Sequence, residues 1–365
     1  MLYDFVVVGA GQAGLSMAYQ LKKAGFSFLV IDGDQTIGGS WLKRWDSLSL
    51  FTPSQYNNLP GMDFPMKEGV YPDKNEVARY LQEYVDTFDL PVKLNCKAQK
   101  VTREGEIYQI HTDAGLFTAD NLIVATGPFH TPFRPPCHTD ISSDVIQLHA
   151  NEYKNPAQLQ SGDTLVVGAG DSGVQILSEI ADTGKQVYFS GNTNSATLPQ
   201  SFLGKTLWWW LSKLGILSAS KYSWLGKKLS STVQPIIGTN LKKILAKNNV
   251  EAVGRTLGVD GAHILFSEAQ IASIKNIVWA TGFRPDFSWI DNIPLDEKGY
   301  PQNYRGIGKQ EGLFFIGLPW MHTRGSATLG GVKADAEFLI EQLKSKYPQR
   351  VKAATVGFKP VVVTS

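Results

Sequence analysis

Six glycines stand in two copies of one spacing: Gly9, Gly11 and Gly14, then Gly168, Gly170 and Gly173. Each triplet follows a short β-branched run and opens a stretch whose apolar residues recur at helical intervals. A turn of this kind offers free backbone N–H groups and the positive end of a helix to phosphate. The first glycine permits a tight turn. The second lets the backbone approach a pyrophosphate, and the third lets helix and strand pack closely. Asp32 ends the next apolar run, at the spacing where a carboxylate meets ribose hydroxyls. Gln12, Asp171 and Ser172 sit at the two helix starts. At the second copy the matching strand end is Ser190, followed by Thr193 and Asn194. No acid there repels a 2′-phosphate and no arginine clamps it, so weak discrimination between NADH and NADPH is expected. Two dinucleotide sites in one chain imply two cofactors that meet: FAD at the first and NADPH or NADH at the second.

The elements that position these residues also come in pairs. LYDFVVVGAGQAGLSMAYQL and DTLVVGAGDSGVQILSEIA each read as strand, turn and helix. Gly25 and Gly184 stop the helices, and strands follow at Ser27–Ile31 and Gln186–Phe189. NLIVATGPF and NIVWATGFRPDF are apolar strands that end in Ala-Thr-Gly, which adds Thr126, Gly127, Thr281 and Gly282 to the candidate cofactor residues. The expectation is an α/β protein with two Rossmann-like domains in a glutathione-reductase-like arrangement. Residues 1–158 and 276–365 form the FAD domain, and 159–275 form an inserted NAD(P)H domain. Gly331–Leu343 reads as an amphipathic helix and the residues after Tyr347 as a loose tail.

Composition removes other classes. The chain of 365 residues carries a net charge of +2, without the basic excess of a nucleic-acid binder. Cys96 and Cys137 form no CxxC pair, so a dithiol redox centre and a cysteine zinc site are not expected. No set among the six histidines has metal-ligand spacing, and no nucleophile motif such as GxSxG occurs. No leader or membrane-spanning run is apparent, so the expectation is a cytoplasmic protein without stable membrane insertion. One segment, 183–250, holds nine lysines and no arginine, aspartate or glutamate, together with Trp208, Trp209, Trp210 and Trp224. It reads as a helical excursion, at about 200–247, that packs its tryptophans on the core. The alternative is a pocket cover or a contact for an anionic partner.

Gly38-Gly39-Ser40-Trp41, RWDSLSLFTP (Arg44–Pro53), LPG (Leu59–Gly61), HANEY (His149–Tyr153) and WATGFRPDFSWI (Trp279–Ile290) together resemble the flavin-containing monooxygenase family. The likeness is to its shorter bacterial members and to YUCCA-type enzymes, and it covers about residues 1–345. It implies that NAD(P)H reduces FAD and that O2 then gives a C4a-(hydro)peroxyflavin. That species would oxygenate a small-molecule sulfide or amine, or a ketone in Baeyer–Villiger chemistry, with no obligatory side-chain acid or base. It also implies a homodimer. By this likeness Gly39 and Trp41 make a second FAD contact, and Gly317 and Thr328 flank the flavin on the last segment, where Ser326–Gly331 would begin a helix. His149 and Tyr153 match the end of the family's identifying motif, read as a structural link between domains.

Two departures stand out. Phe51 or Thr52 occupies the place of an asparagine that supports the oxygenated flavin in animal members. Leu318 replaces an aspartate after Gly317. Phe51, Thr52 and Trp320 are therefore the candidates near the flavin, with His322 and Arg324 as further pocket residues. The first departure keeps a second reading open: an NAD(P)H oxidase or flavin reductase that passes electrons to O2 or an external acceptor.

Overall fold

Four parallel strands bring one set of loops to a common edge. In the computed structural model, which describes residues 1–261, 263–271 and 274–350, Leu2–Val8 lies between Phe28–Ile31 and Gly115–Val124. Val8 stands opposite Ile31 and Val124, and Val124 stands opposite Phe315 of the Leu313–Phe315 strand. The residues that follow each strand, Gly9, Asp32, Ala125 and Ile316, therefore share the carboxyl edge of a nine-stranded sheet. Ligands of open parallel sheets bind outside that edge. The expected tail lies outside the described residues from 351 onward.

Helix Gln12–Ala24 covers this sheet. Leu15, Met17, Ala18 and Leu21 are buried, and Gly25 closes the helix in the left-handed conformation at φ 79°. The carboxy-terminal helix Val332–Lys346 packs in the same apolar core. Helix Lys74–Thr87 begins at Asp73, which forms a capping box with Glu76. Its buried Tyr80 and Tyr84 donate to the carbonyls of Met62 and Pro60 at 2.7 and 2.6 Å, which fixes the LPG loop.

The second sheet repeats the arrangement with five strands. Val167 stands opposite Ser190 and Trp279, and Trp279 opposite His149. Gly168, Gly191, Ala280 and Ala150 thus share its carboxyl edge. The sheet takes strands from both sides of the expected 159–275 limits: Ile146–His149 lies before them and Ile274–Trp279 runs past them. Parallel pairing explains this, because Ile274–Trp279 is the partner of both Asp163–Val167 and Ile146–His149. The chain then returns to the first sheet at Asn303–Tyr304, Ile307–Gly308 and Leu313–Phe315.

The lysine-rich segment forms short helices at Leu207–Lys213, Trp224–Ser231 and Leu241–Leu245. Trp208 and Leu211 are buried with Ile237, as the packing expectation requires. Trp224 is instead exposed. Among the described residues no helix is long and apolar enough to cross a membrane.

Candidate active site

The first glycine turn is closed at Gly9 and Gly14 and open at Gly11. A Cβ on Gly9 (φ 112°) would sit 2.6 Å from the Ala125 carbonyl oxygen, and one on Gly14 would sit 1.8 Å from that of Gly9. Nothing lies within 4 Å of a Cβ on Gly11, which caps the helix N-terminus. Asp32 braces the turn: Ala10 N–H donates to its Oδ2 at 2.6 Å and Asp34 N–H to its Oδ1 at 2.7 Å. Beside it Gly33–Thr36, Gly39, Leu42, Lys43 and Lys154 line a cavity of about 500 Å³. Gly39 packs against the Asp34 carboxylate, which pairs with Lys43, and Trp41 packs against the core.

The second turn has the same anatomy. A Cβ on Gly168 (φ 121°) would meet the Ala280 oxygen at 2.2 Å and one on Gly173 the Gly168 oxygen at 2.1 Å, while Gly170 is open to 4 Å. The alanine of each Ala-Thr-Gly strand is therefore the wall against which its glycine turn folds.

The two Ala-Thr-Gly turns are wired to each other. Thr131–Pro132 pairs antiparallel with Phe283–Arg284. Thr281 donates to the Phe133 carbonyl, and Phe133 N–H donates to Gly282 O at 3.0 Å. His149 is fully buried. Its Nδ1 accepts from Asn151 N–H at 3.2 Å, so Nε2 carries the proton and donates to Gly282 O at 3.0 Å. Burial is the main reason its imidazole is held below the ordinary value. Tyr153, four residues on, donates to Glu179 at 2.8 Å. The Arg44 guanidinium lies over both Phe129 and Phe283, 4.9 and 5.5 Å from the ring centroids. Arg44 opens the RWDSLSLFTP run, but nothing local in the sequence distinguishes it from a solvated arginine.

Of the candidates expected near a flavin, Thr52 and Phe51 contact other residues of the chain. Thr52 is buried and donates to Asn57 Oδ1 at 2.6 Å, while Asn57 Nδ2 donates to the Thr52 and Pro53 carbonyls. Phe51 stacks on Trp208. Trp320 holds φ 54°, a conformation bulky residues rarely adopt. A Cβ on Gly317 (φ 82°) would lie 2.6 Å from Ala13 Cβ, which brings the last segment onto the first helix. Residues Arg324–Ala327 make a 3-10 turn capped by Thr323, and the α-helix begins only at Val332. Thr328 donates to Gly325 O at 2.8 Å. The expected helix start at Ser326 is displaced because Ser326 is consumed in the turn, accepting from His322 and Thr323 N–H. His322 meets the lysine-rich segment, where Lys221 N–H donates to its carbonyl at 2.7 Å, and Arg324 interacts electrostatically with Asp171 at the start of the second cradle helix.

Several side chains expected at cofactors are committed elsewhere. Ser190 is buried, and its hydroxyl accepts from Thr256 N–H at 2.9 Å and bonds Thr256 Oγ1 at 2.7 Å. That pairing brings exposed Arg255 to the second-strand edge, a cation far from the glycine turn in sequence. Asp171 accepts from Ile237 N–H at 3.0 Å, and burial raises its carboxyl above the usual range. Thr126 bonds His130 Nε2 at 3.0 Å. Thr193 is half-buried and Asn194 exposed at the same edge; Gln12 and Ser172 stay half-buried at the helix starts.

Two sheets, each with a glycine cradle at the carboxyl edge of its parallel strands and joined through their Ala-Thr-Gly turns, define an oxidoreductase with two dinucleotide folds. Residues 6–204 match the pyridine nucleotide-disulphide oxidoreductase family. The chain belongs to that family, and it is an oxidoreductase of the flavin monooxygenase type. It is 41% identical over 344 residues to a CzcO-like oxidoreductase of Geobacillus kaustophilus, covering 94% of this chain and 98% of that one. A flavin-containing monooxygenase from Stenotrophomonas maltophilia superposes with a TM-score of 0.78 at 26% identity, covering 94% and 99% of the two chains. The probable indole-3-pyruvate monooxygenase YUCCA3 of Arabidopsis thaliana is 24% identical over 391 residues, covering 95% and 88%. Despite the family's name, Cys96 and Cys137 are both free, the first buried and the second half-buried.

Proposed function

We propose that the chain holds FAD at the Gly9–Gly14 cradle and NADPH or NADH at the Gly168–Gly173 cradle. With O2 it oxygenates a small soft nucleophile, a thioether or amine, with a ketone as the other substrate class. The observation that carries this reading is the duplicated cradle: Gly11 and Gly170 face open space while their neighbours admit not even a Cβ. The residues fit a dinucleotide, because a cavity opens at Gly33–Thr36, just after Asp32 at the strand end where an adenosine ribose would lie. Bound FAD would supply hydride acceptance and oxygen activation, chemistry that needs no side-chain acid–base pair.

The protein's own residues bind, orient and exclude water. Backbone N–H groups at Gly11 and Gly170 face the phosphates. Asp32 keeps the Ala10 amide fixed and retains lone pairs for ribose hydroxyls. Arg44 spans Phe129 and Phe283 and so holds the two Ala-Thr-Gly turns in one arrangement, while His149 fixes the second turn through Gly282, so that the two cofactors meet at a set angle. Phe51 and Trp208 form an apolar wall that keeps water out.

Anaerobic mixing of the FAD-loaded protein with NADH or NADPH, followed by oxygen and a prochiral thioether, tests the reading. Sulfoxide formed in proportion to nicotinamide consumed supports it. Failure of both nicotinamides to bleach the flavin overturns it. The second reading, an NAD(P)H oxidase, is favoured by the Phe51 position, where no side-chain amide is offered, and by the internal use of the Asn57 amide. It predicts hydrogen peroxide in place of sulfoxide.

A further inference from the structure

The lysine-rich segment has two faces with opposite fates. Trp208 and Leu211 point into the core from helix Leu207–Lys213. On the other side, the hairpin formed by Ser201–Phe202 and Lys205–Thr206 carries its apolar residues outward. Phe202 is 56% exposed and Leu203 74% exposed, and Leu214, just past the helix, is 66% exposed. Leu203 sits at the hairpin tip with φ 51°, a left-handed conformation that bulky residues rarely take. Hairpin and helix form one surface, because Trp210 Nε1 donates to Phe202 O at 3.0 Å and the Trp209 and Trp210 rings meet edge-on at 4.8 Å.

The charge on this surface has one sign. Lys205 and Lys213 flank the Trp209 ring at 5.7 and 5.9 Å, and neither forms an ion pair among the described residues. Across 183–250 nine lysines occur without an acidic residue. Apolar tips surrounded by indoles and ammonium groups are the composition of an interface between water and lipid. A second copy of the chain fits less well, because a two-fold contact would lay lysines against lysines.

We propose that Ser201–Leu214 is a peripheral docking surface for an anionic lipid bilayer, with Phe202, Leu203 and Leu214 entering the headgroup region and Lys205 and Lys213 meeting lipid phosphates. This surface stands apart from the oxygenation reading, although Trp208 of the same helix abuts Phe51.

Cosedimentation of the FAD-loaded full chain with vesicles of phosphatidylcholine and phosphatidylglycerol (3:1) tests the proposal. Binding is expected at low ionic strength, at least tenfold stronger than to pure phosphatidylcholine, and weakened at least tenfold by 0.5 M NaCl. The F202S/L203S double variant and the K213E variant should each lose about tenfold in vesicle affinity. Both should keep the wild-type rate of flavin reduction and the wild-type melting temperature, which separates lost docking from misfolding. Equal binding by wild type and F202S/L203S overturns the proposal. So does wild-type protein that ignores anionic vesicles, or a dimer in solution that F202S/L203S converts to monomer.

Discussion

Phe51 and Trp208 stack with ring centroids 5.9 Å apart and planes 14° apart, and the Trp208 indole N–H donates 2.7 Å to the Phe51 carbonyl. The contact joins the RWDSLSLFTP segment of the first domain to the lysine-rich excursion. It makes one apolar wall from two distant stretches of chain.

Trp208→Ala removes both the stack and the hydrogen bond. A buried tryptophan cut to alanine costs about 3–5 kcal/mol, so a lower melting temperature is expected. If the wall excludes water, peroxide released per nicotinamide oxidised should rise severalfold. Trp208→Phe keeps the stack and loses only the hydrogen bond, about 1 kcal/mol, with coupling near wild type. Equal peroxide yield from Trp208→Ala and wild type would remove the wall from the mechanism.

The open and closed glycines separate binding from folding. Gly11→Val places its side chain in open space, so the fold should persist while FAD affinity falls roughly 100-fold, or about 2.7 kcal/mol. Gly170→Val should retain FAD and slow reduction by NADH and NADPH to a similar degree. Gly14→Ala drives a Cβ to within 1.8 Å of a carbonyl oxygen and should yield little soluble protein. Flavin content, reduction rate and circular dichroism distinguish the three. Retained FAD in Gly11→Val would contradict the assignment.

The two nucleotide folds were legible because their signals are local. Strand, glycine turn and helix are contiguous, and each glycine's reason is visible in the turn it makes. What could not be read depends on contacts between distant segments. Ser190 looked available at a strand end, yet its hydroxyl bonds Thr256, which pairs beside it only in the folded chain. Asp171 looked like part of a phosphate cradle but braces Ile237. Arg44 gains its place from Phe129 and Phe283, whose approach follows from the pairing of Thr131–Pro132 with Phe283–Arg284. The place of Ile146–His149 in the second sheet was hidden for the same reason, since strand membership is decided by pairing.

Arg255 offers a direct test of nicotinamide preference. The Ser190–Thr256 pairing sets it at the second-strand edge, where a guanidinium can meet a 2′-phosphate. Arg255→Ala should raise KM for NADPH about tenfold, or ~1.4 kcal/mol, and leave KM for NADH within twofold. If both values move together, the charge at this edge comes from elsewhere.

His149 anchors the second Ala-Thr-Gly turn through Gly282 and should make that anchor sensitive to acid. In the folded chain burial holds its imidazole below the ordinary value near 6.5. The unfolded chain therefore takes up this proton first as pH falls. The stability that His149 confers is complete above about pH 6.5 and is lost as pH drops from there through the folded-state value. Protonation would also remove the Nδ1 lone pair that accepts from Asn151, while the Nε2 bond to Gly282 could survive. His149→Gln can still donate to the Gly282 carbonyl but does not titrate. Melting temperature should then fall more steeply between pH 7 and pH 5 for wild type than for His149→Gln, with the variant less stable at pH 7.5. His130 is also held low, chiefly by burial, and shares the acid sensitivity, so the difference between the two curves isolates the His149 share. Parallel curves would place the acid sensitivity outside His149 and leave the imidazole a purely steric support of the second turn.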